Sequence, residues 1–310
     1  MKYALINGIL LDGTETMHPR SGLTVLVNGD RIEAIVPAGT EGSDYERIDL
    51  AGGYVMPGLI NLHVHLPASG KPTVKQKDNK KTVRLMTSNA LLRAVTFRVC
   101  AGYAKTELLS GVTTLRSVGG IQAVDSCLRD KILSGKAVGP RILAGNMAVS
   151  VPGGHMAGSL AYAMFDRSVT GASETEQYNG RIVMDGIIAC AKACLERGIP
   201  VGLGTDTGCP YITHYDMWRE VYYFHKLCNV SNAFALHTAT LGNARLLGLG
   251  AETGSIEPGK CADLIVTRAN PLEDLKALRH IDLVMGRGNL IRAPKVKKIE
   301  KAERELDKFL

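Results

Sequence analysis

The stretch Val55-Met56-Pro57-Gly58-Leu59-Ile60-Asn61-Leu62-His63-Val64-His65-Leu66 is an apolar run that ends in the pattern His-x-His. Alternate side chains of a β-strand point to the same face, so His63 and His65 are expected to project together. Two neutral imidazoles on a stiff backbone are suitable ligands for zinc or a similar divalent ion. The motif alone fits a half-exposed strand with two histidines about equally well. The rest of the chain decides between these interpretations.

Both ends of the chain carry patterns that predict a small β domain. Short strands are predicted at 3–11, 23–27, 31–36, 262–268 and 282–291. Between two of them, Asn28-Gly29-Asp30 is typical of a tight hairpin. Apolar residues spaced along 295–310 predict an amphipathic helix, which is expected to be a docked or fraying terminus and not a membrane anchor. We therefore predict one composite β module of residues 1–54 and 255–310.

Between these ends, predicted strands alternate with predicted helices. The strands are expected near 55–66, 111–120, 141–150 and 199–206, and the helices near 81–109, 121–134, 181–197, 214–228 and 232–248. This alternation is typical of an α/β sheet or barrel with parallel strands, here over residues 55–254. Chemistry in such domains lies at the carboxyl ends of the strands. His63, His65, His155 and Asp206 fall at or just past such ends, which makes them the candidate site residues.

Composition excludes several classes of protein. The net charge is +7, but part of it lies in the tail, and aromatic residues make up only 5% of the chain, which argues against nucleic-acid binding. No apolar run approaches the ~18 residues that span a bilayer, and the N-terminus has no signal-peptide pattern. Seven cysteines without a Cys-x-x-Cys pair favour a reduced, cytoplasmic protein.

Six segments carry a specific pattern in a specific order. They are residues 55–65, 111–120, 139–142, 153–155, 202–206 and 254–265. In this order they resemble the metal-dependent amidohydrolase superfamily, in particular its prolidase-like and imidazolonepropionase-like branch. The resemblance implies a TIM-like (β/α) barrel and a β-sandwich built from both chain ends. It also implies that His63, His65 and Asp206 bind a divalent metal, zinc being the expected ion. Asp206 would in addition be the catalytic general base, and His155 would lie near the substrate.

The chain departs from the family pattern in the middle of the barrel. The family places a bridging lysine and two further histidine ligands there, but no histidine lies between His155 and His214. The lysine in that interval before Asp206 is Lys192, whose surroundings in sequence are typical of a solvated helix face. Four barrel strands are recognisable, whereas a closed barrel needs eight. We therefore predict an incomplete barrel whose strands lie in the order third, second, first, last, with at most one metal ion.

Three functions follow as hypotheses. The first is a metal-dependent hydrolase that acts on carbon–nitrogen bonds of small amides, dipeptide-like or cyclic, with a metal-activated water. The second is a non-catalytic remnant or partner subunit that keeps the fold without a complete metal centre. The third is a homo-oligomer in which exposed sheet edges pair and share a site. The sequence does not identify the substrate, since the loops that would determine it follow the strands that are not recognised.

Overall fold

The computed structural model describes residues 1–72, 79–146 and 167–310. In these ranges the backbone forms three β-sheets, of four, five and three strands, together with helices. The strands are β1 (Lys2–Ile6), β2 (Ile9–Leu10), β3 (Leu23–Asn28), β4 (Arg31–Pro37), β5 (Glu46–Asp49), β6 (Tyr54–Pro57), β7 (Leu59–Val64), β8 (Val112–Ser117), β9 (Arg141–Ala144), β10 (Leu264–Thr267), β11 (Ile281–Gly286) and β12 (Asn289–Arg292). The predicted α/β class is therefore confirmed.

The first two sheets are built from the ends of the chain. The four-stranded sheet has the order β4-β3-β1-β5, and the five-stranded sheet has the order β12-β11-β10-β6-β2. Both contribute to one buried hydrophobic cluster, which includes Leu5, Val27, Val55, Val266 and Met285. Two sheets on one apolar core are the packing that a sandwich requires. The domain limits at residues 54 and 255 stay a prediction.

The chain passes from the five-stranded sheet to the parallel sheet at Gly58. β6 ends at Pro57 and β7 begins at Leu59, so the single predicted strand is in fact two strands in different sheets. A side chain at position 58 would collide with β8, because an added Cβ would lie 2.2 Å from Thr113 Oγ1. Glycine is therefore required for the close approach of the two backbones.

The parallel sheet has the order β7-β8-β9, and the segment 201–207 runs along the other side of β7. A parallel bridge joins Val64 to Thr207, and the N–H of Leu62 donates to the carbonyl of Leu203 at 3.1 Å. The predicted order of third, second, first and last strand is present. These sheets are not closed within the described ranges, and a complete barrel is not seen there.

The segment 201–207 is not a regular strand, and in this respect the prediction of a strand at 199–206 is wrong. Asn243 provides the reason, because its Oδ1 accepts from the N–H of Leu203 at 3.0 Å and its Nδ2 donates to the carbonyl of Leu203 at 2.9 Å. The N–H of Thr205 likewise donates to Asn61 Oδ1, at 3.1 Å. Side chains therefore take the place of several backbone ladder bonds.

The helices lie between and beyond these strands. They are α1 (Asn79–Thr87), α2 (Ala90–Leu109), α3 (Val124–Leu133), α4 (Arg167–Thr170), α5 (Glu174–Glu196), α6 (Met217–Cys228), α7 (Asn232–His237), α8 (Asn243–Leu246) and α9 (Glu300–Leu306), with a π-helical turn at Thr238–Gly242 and 3-10 turns at Leu275–Arg279 and Asp307–Phe309. No helix in the described part of the chain is long and apolar enough to cross a membrane. Asn89 separates α1 from α2 by capping the N-terminus of α2, where its side chain accepts from the N–H of Leu92.

Helix α5 differs from its prediction in its start and in its burial. It begins at Glu174 because Ser173 and Glu176 form a capping box, a signal that lies outside the predicted range 181–197. The apolar residues Ile182 and Ile187 lie within the predicted range, and both are more than half exposed. The helix is therefore present, but the described part of the chain does not bury these apolar side chains.

The C-terminal helix docks on the fold, which is one of the two predicted arrangements. Leu306 of α9 is buried beside Tyr211. Arg219 of α6 donates from Nη2 to Glu303 and Asp307, at 3.3 and 2.6 Å. The tail is held by these charge pairs as well as by its apolar face.

Candidate metal centre

The two histidines of the opening motif lie at the carboxyl end of β7. His63 is in the strand and His65 follows it, and their Nε2 atoms are 3.3 Å apart. The His65 side chain is 18% exposed and that of His63 is 42% exposed, so the pair faces an opening that solvent can enter. The structure confirms that both imidazoles project together. It also shows a bulge in the β7–β8 register between Asn61 and Val64, where this end of the strand leaves regular pairing.

Asp206 completes the group from the neighbouring segment. Its Oδ1 lies 3.0 Å from His65 Nε2 and 3.4 Å from His63 Nε2. The N–H of Asp206 donates to the carbonyl of His63 at 3.0 Å, which ties the acid to the histidine strand through the backbone. Asp206 has a positive φ of 57°, a conformation that aspartate tolerates better than most residues. The predicted convergence of three side chains from distant parts of the chain is therefore observed.

The three donor atoms fit a single divalent ion. All of them lie within 4.8 Å of one another, and no ion is present. Two ligands at about 2.0–2.1 Å from a tetrahedral zinc ion are themselves separated by about 3.3 Å. The observed edges of 3.0, 3.3 and 3.4 Å match that spacing. Asp206 Oδ1 is buried, and it faces the Nε2 atoms of both histidines, so an ion bound between them would have a carboxylate ligand.

Local charges set the protonation of this group. The hydrogen bond to Asp206 raises the pKa of His65, and burial only partly offsets that effect. Burial works to raise the pKa of Asp206, but the hydrogen bond from His65 and the charges of both histidines together lower it. Asp206 is therefore ionised around neutral pH, as a ligand and general base must be.

A second contact fixes the orientation of His65. Its Nδ1 lies 3.4 Å from the carbonyl oxygen of Gly119, in the turn after β8. A carbonyl oxygen can only accept, so a hydrogen on Nδ1 makes Nε2 the nitrogen whose lone pair would bind a metal. The ring is thus held with the correct nitrogen toward His63 and Asp206.

Beneath the site lies a buried polar cluster that the sequence did not reveal. His214 Nδ1 contacts Glu107 Oε1 at 3.1 Å, and both residues are at most 3% exposed. Tyr103 stacks on His214 with ring centroids 4.5 Å apart. His214 is therefore a buried residue of the fold. Glu107 gave no signal, because a glutamate in an amphipathic helix is ordinarily solvated.

The remaining candidates have different outcomes. His155 lies outside the described residues, so its place near the substrate stays a prediction. Lys192 is exposed on α5, as expected for a solvated face. His225 Nδ1 contacts the carbonyl of Val230 at 2.6 Å, and His237 Nδ1 contacts that of Gly13 at 2.8 Å. The sequence offers a structural or a surface role for these two histidines, and both contacts indicate a structural one.

Known proteins resemble this chain in sequence and in fold. The model of the amidohydrolase family matches residues 179–291, which include Asp206 but not the two histidines. An imidazolonepropionase from Thermoplasma acidophilum is 33% identical over 104 residues, 33% of this chain and 25% of that protein. The chain therefore aligns with about a quarter of the length of this curated relative.

Solved structures extend the similarity to nearly the whole chain. A candidate prolidase from Bifidobacterium longum superposes with a TM-score of 0.85 at 25% identity, covering 99% of this chain and 98% of that chain. A Xaa-Pro dipeptidase with bound methionine superposes with a TM-score of 0.75 at 20% identity, covering 94% of this chain and 100% of that chain. The second comparison shows a shared fold and no more.

Proposed function

We propose that this chain, which belongs to the prolidase- and imidazolonepropionase-like branch of the amidohydrolase superfamily, hydrolyses carbon–nitrogen bonds of small amides at the His63-His65-Asp206 centre. The single observation that carries the proposal is the triangle of donor atoms, whose edges match those expected of zinc ligands. Dipeptide-like substrates are favoured over other amides because the similar structures include a candidate prolidase and a Xaa-Pro dipeptidase.

The residues present assign the parts of the reaction. His63, His65 and Asp206 would hold one divalent ion, which when bound lowers the pKa of water and polarises a carbonyl group. Asp206 is 30% exposed and ionised around neutral pH, so it can take a proton from an attacking water molecule. The same carboxyl group can then give that proton to the leaving nitrogen. His63 lies on the open side, where the substrate enters.

The test measures metal content and hydrolysis in the same preparations. Full-length protein purified without chelator is analysed for zinc, manganese and iron and is then assayed with Xaa-Pro and other dipeptides. We expect about one equivalent of metal and measurable hydrolysis, both lost in His63→Ala. His280→Ala is the matched control, because His280 is exposed, ends the 3-10 turn Leu275–Arg279 and is not part of the donor group. Less than about a tenth of an equivalent of metal in the unmodified chain would refute the proposal.

The alternative is a non-catalytic partner subunit, and two observations favour it. The chain has no histidine between His155 and His214, where the family provides further ligands. Apolar side chains of α2 and α5, among them Leu91 at 74% and Tyr178 at 65%, are exposed. Bound metal without hydrolysis of any tested amide would support this alternative over an enzyme.

A further inference from the structure

Five segments of the chain meet in the buried cluster beneath the metal centre. Glu107 comes from α2, His214 from the loop before α6, and Asn61 from β7, at 1%, 3% and 0% exposure. Thr207 follows Asp206, and its hydroxyl donates to the Glu107 carboxyl group. Ala68, in the loop after β7, accepts from His214 Nε2 at 2.8 Å. The cluster therefore touches both segments that carry the donor atoms without including any of those atoms.

The proton count of the central pair follows from its contacts. Because the Ala68 carbonyl oxygen can only accept, His214 Nε2 carries a hydrogen. The contact of 3.1 Å between His214 Nδ1 and Glu107 Oε1 then contains one more proton, whichever atom holds it. A pair that keeps this proton is neutral as a whole, which lowers the cost of burying it. The pair is thus compatible with a buried position that neither group would tolerate alone.

Asn61 connects this pair to the backbone of the two site segments. Its Nδ2 donates to Thr205 Oγ1 at 2.9 Å and, more weakly, to Glu107 Oε2 at 3.5 Å. Its Oδ1 accepts from the N–H of Thr205 at 3.1 Å and from that of His63 at 3.3 Å. Glu107 therefore orients the Asn61 amide, and this amide joins the strand of His63 to the segment of Asp206.

The backbone pairing alone leaves the relative position of the two segments weakly defined. Next to the site it consists of the Val64–Thr207 bridge and two hydrogen bonds. These run from the N–H of His65 to Thr207 O at 2.9 Å and from the N–H of Asp206 to His63 O at 3.0 Å. A short and irregular ladder is prone to shift unless other contacts set its register.

We propose that the Glu107–His214 pair is a positioning unit that, through Asn61 and Thr207, holds the His63-Val64-His65 segment and the Asp206 segment in register. The benefit of this register for metal binding rests on the proposed function. The register itself can be measured in the metal-free chain. The unit acts through hydrogen bonds, so a side chain that reproduces them should replace Glu107. Glutamine can do so, because its oxygen can accept from Asn61 and its amide can donate to His214 Nδ1.

The decisive experiment is residue-resolved amide hydrogen exchange in the metal-free full chain. The reporters are the N–H groups of His65, Thr205 and Asp206, compared with amides of the β8–β9 pairing. We expect Glu107→Leu and His214→Leu to speed exchange at the reporters at least about tenfold and Glu107→Gln to keep them near the unmodified rate. Leu108→Ala is the matched control, because Leu108 is the next residue of α2 and is buried in the hydrophobic core instead.

The proposal is overturned if Glu107→Leu speeds the reporter amides no more than Leu108→Ala does, or if Glu107→Gln is as disruptive as Glu107→Leu. Should the leucine variants fail to fold, Thr207→Val removes only one hydroxyl of the cluster. It should speed exchange at the reporters, and an unchanged rate there would refute the idea.

Zinc affinity, measured by chelator competition, separates this proposal from the proposed function. We expect Glu107→Leu to bind zinc at least about tenfold more weakly and Glu107→Gln to stay within about threefold of the unmodified chain. If the unmodified chain binds no zinc, the proposed function fails while the exchange experiment still decides the positioning role.

Discussion

The N–H of Asp206 donates to the carbonyl oxygen of His63 at 3.0 Å, so one backbone hydrogen bond joins two of the three residues of the site. The distances between the donor atoms of these side chains consequently depend on how β7 pairs with the segment 201–207. Any substitution that changes this pairing should change the affinity for metal, even when it removes no ligand.

Gly204→Ala tests this dependence directly. An added Cβ would lie 2.7 Å from the backbone nitrogen of His63 and 2.8 Å from its Cβ, so the two segments must move apart. We expect zinc affinity to fall by at least about tenfold, measured by chelator competition. Gly102→Ala is the control, since a Cβ there meets nothing within 4 Å, and alanine in a helix should stabilise the fold slightly. Equal zinc affinity in both variants would contradict the prediction.

The metal-free protein should lose stability as the pH rises through the pKa of His65. The folded-state pKa of His65 lies above its ordinary value of 6.5, so the contribution is complete below about pH 6.5 and is lost above the folded value. Asp206 has a lowered pKa, and its contribution is present above about 3.8 and lost on acidification below its folded value. Urea unfolding with chelator at about pH 6 and about pH 9 measures the difference.

His65→Gln separates this effect from those of other groups that titrate in the same range. In that variant the loss of unfolding free energy between the two pH values should be smaller than in the unmodified chain. In the unmodified chain the zinc affinity should rise with pH while the stability falls, because a protonated imidazole cannot bind metal. An equal loss of unfolding free energy in both proteins would show that His65 contributes nothing.

Glu220→Gln should stabilise the protein at alkaline pH and leave it unchanged in acid. Burial raises the pKa of Glu220 to about 7, although the N–H of Gly204 works against this. A raised carboxyl pKa means that stability is lost as the pH rises through that value, because the buried group must ionise. We expect a gain of up to about 3 kcal/mol at about pH 8.5, and none at about pH 4, by urea unfolding.

Glu257→Gln is the control of opposite sign. Hydrogen bonds from Ser255 and Lys260 lower the pKa of Glu257, so its ionised form supports the fold. The glutamine variant should be no more stable than the unmodified chain at alkaline pH. A similar gain in both variants would mean that net charge, rather than burial of Glu220, is responsible.

Arg219→Leu should destabilise the fold far more than Arg279→Leu. The Arg219 side chain is 3% exposed and pairs with Asp216, Glu303 and Asp307, whereas Arg279 is 24% exposed. Removing one member of a buried pair leaves an uncompensated charge, at a cost of about 3–5 kcal/mol. A partly exposed pair contributes about 1 kcal/mol or less. Unfolding free energies in urea measure both, and comparable losses would contradict the assignment.

A second substitution identifies the charge responsible. Asp216 is buried beside Arg219, and burial raises its pKa to about 6. In the Arg219→Leu background, Asp216→Asn should restore part of the lost stability, because it removes a buried carboxylate that has lost its opposite charge. If no stability is recovered, the loss is due to packing against Trp218. The centroid of its ring lies 4.4 Å from the Arg219 guanidinium carbon.

The sequence was sufficient to select His63, His65 and Asp206 as candidates, because the position of a residue at the end of a strand follows from its near neighbours in sequence. His63 and His65 share a face because side chains alternate along a strand. Asp206 ends a glycine-rich apolar run, and this run lies beside β7. The spacing of apolar residues over 295–310 predicted the C-terminal helix, and the sheet order was predicted from the resemblance to a barrel, in which the last strand lies beside the first. The break at Gly58 was not predicted, because it depends on the distance to Thr113, a residue of another strand.

Only the tertiary structure decided what lies beneath the site. A glutamate at position 107 and a histidine at position 214 are 107 residues apart, and neither carries a local pattern that predicts burial. They become a pair because α2 and the loop before α6 meet beside Asn61 of β7 and Ala68 of the loop that follows it. Burial and partner choice are properties of that packing, and for this reason the convergence of His63, His65 and Asp206 could be predicted from the sequence while the residues that support them could not.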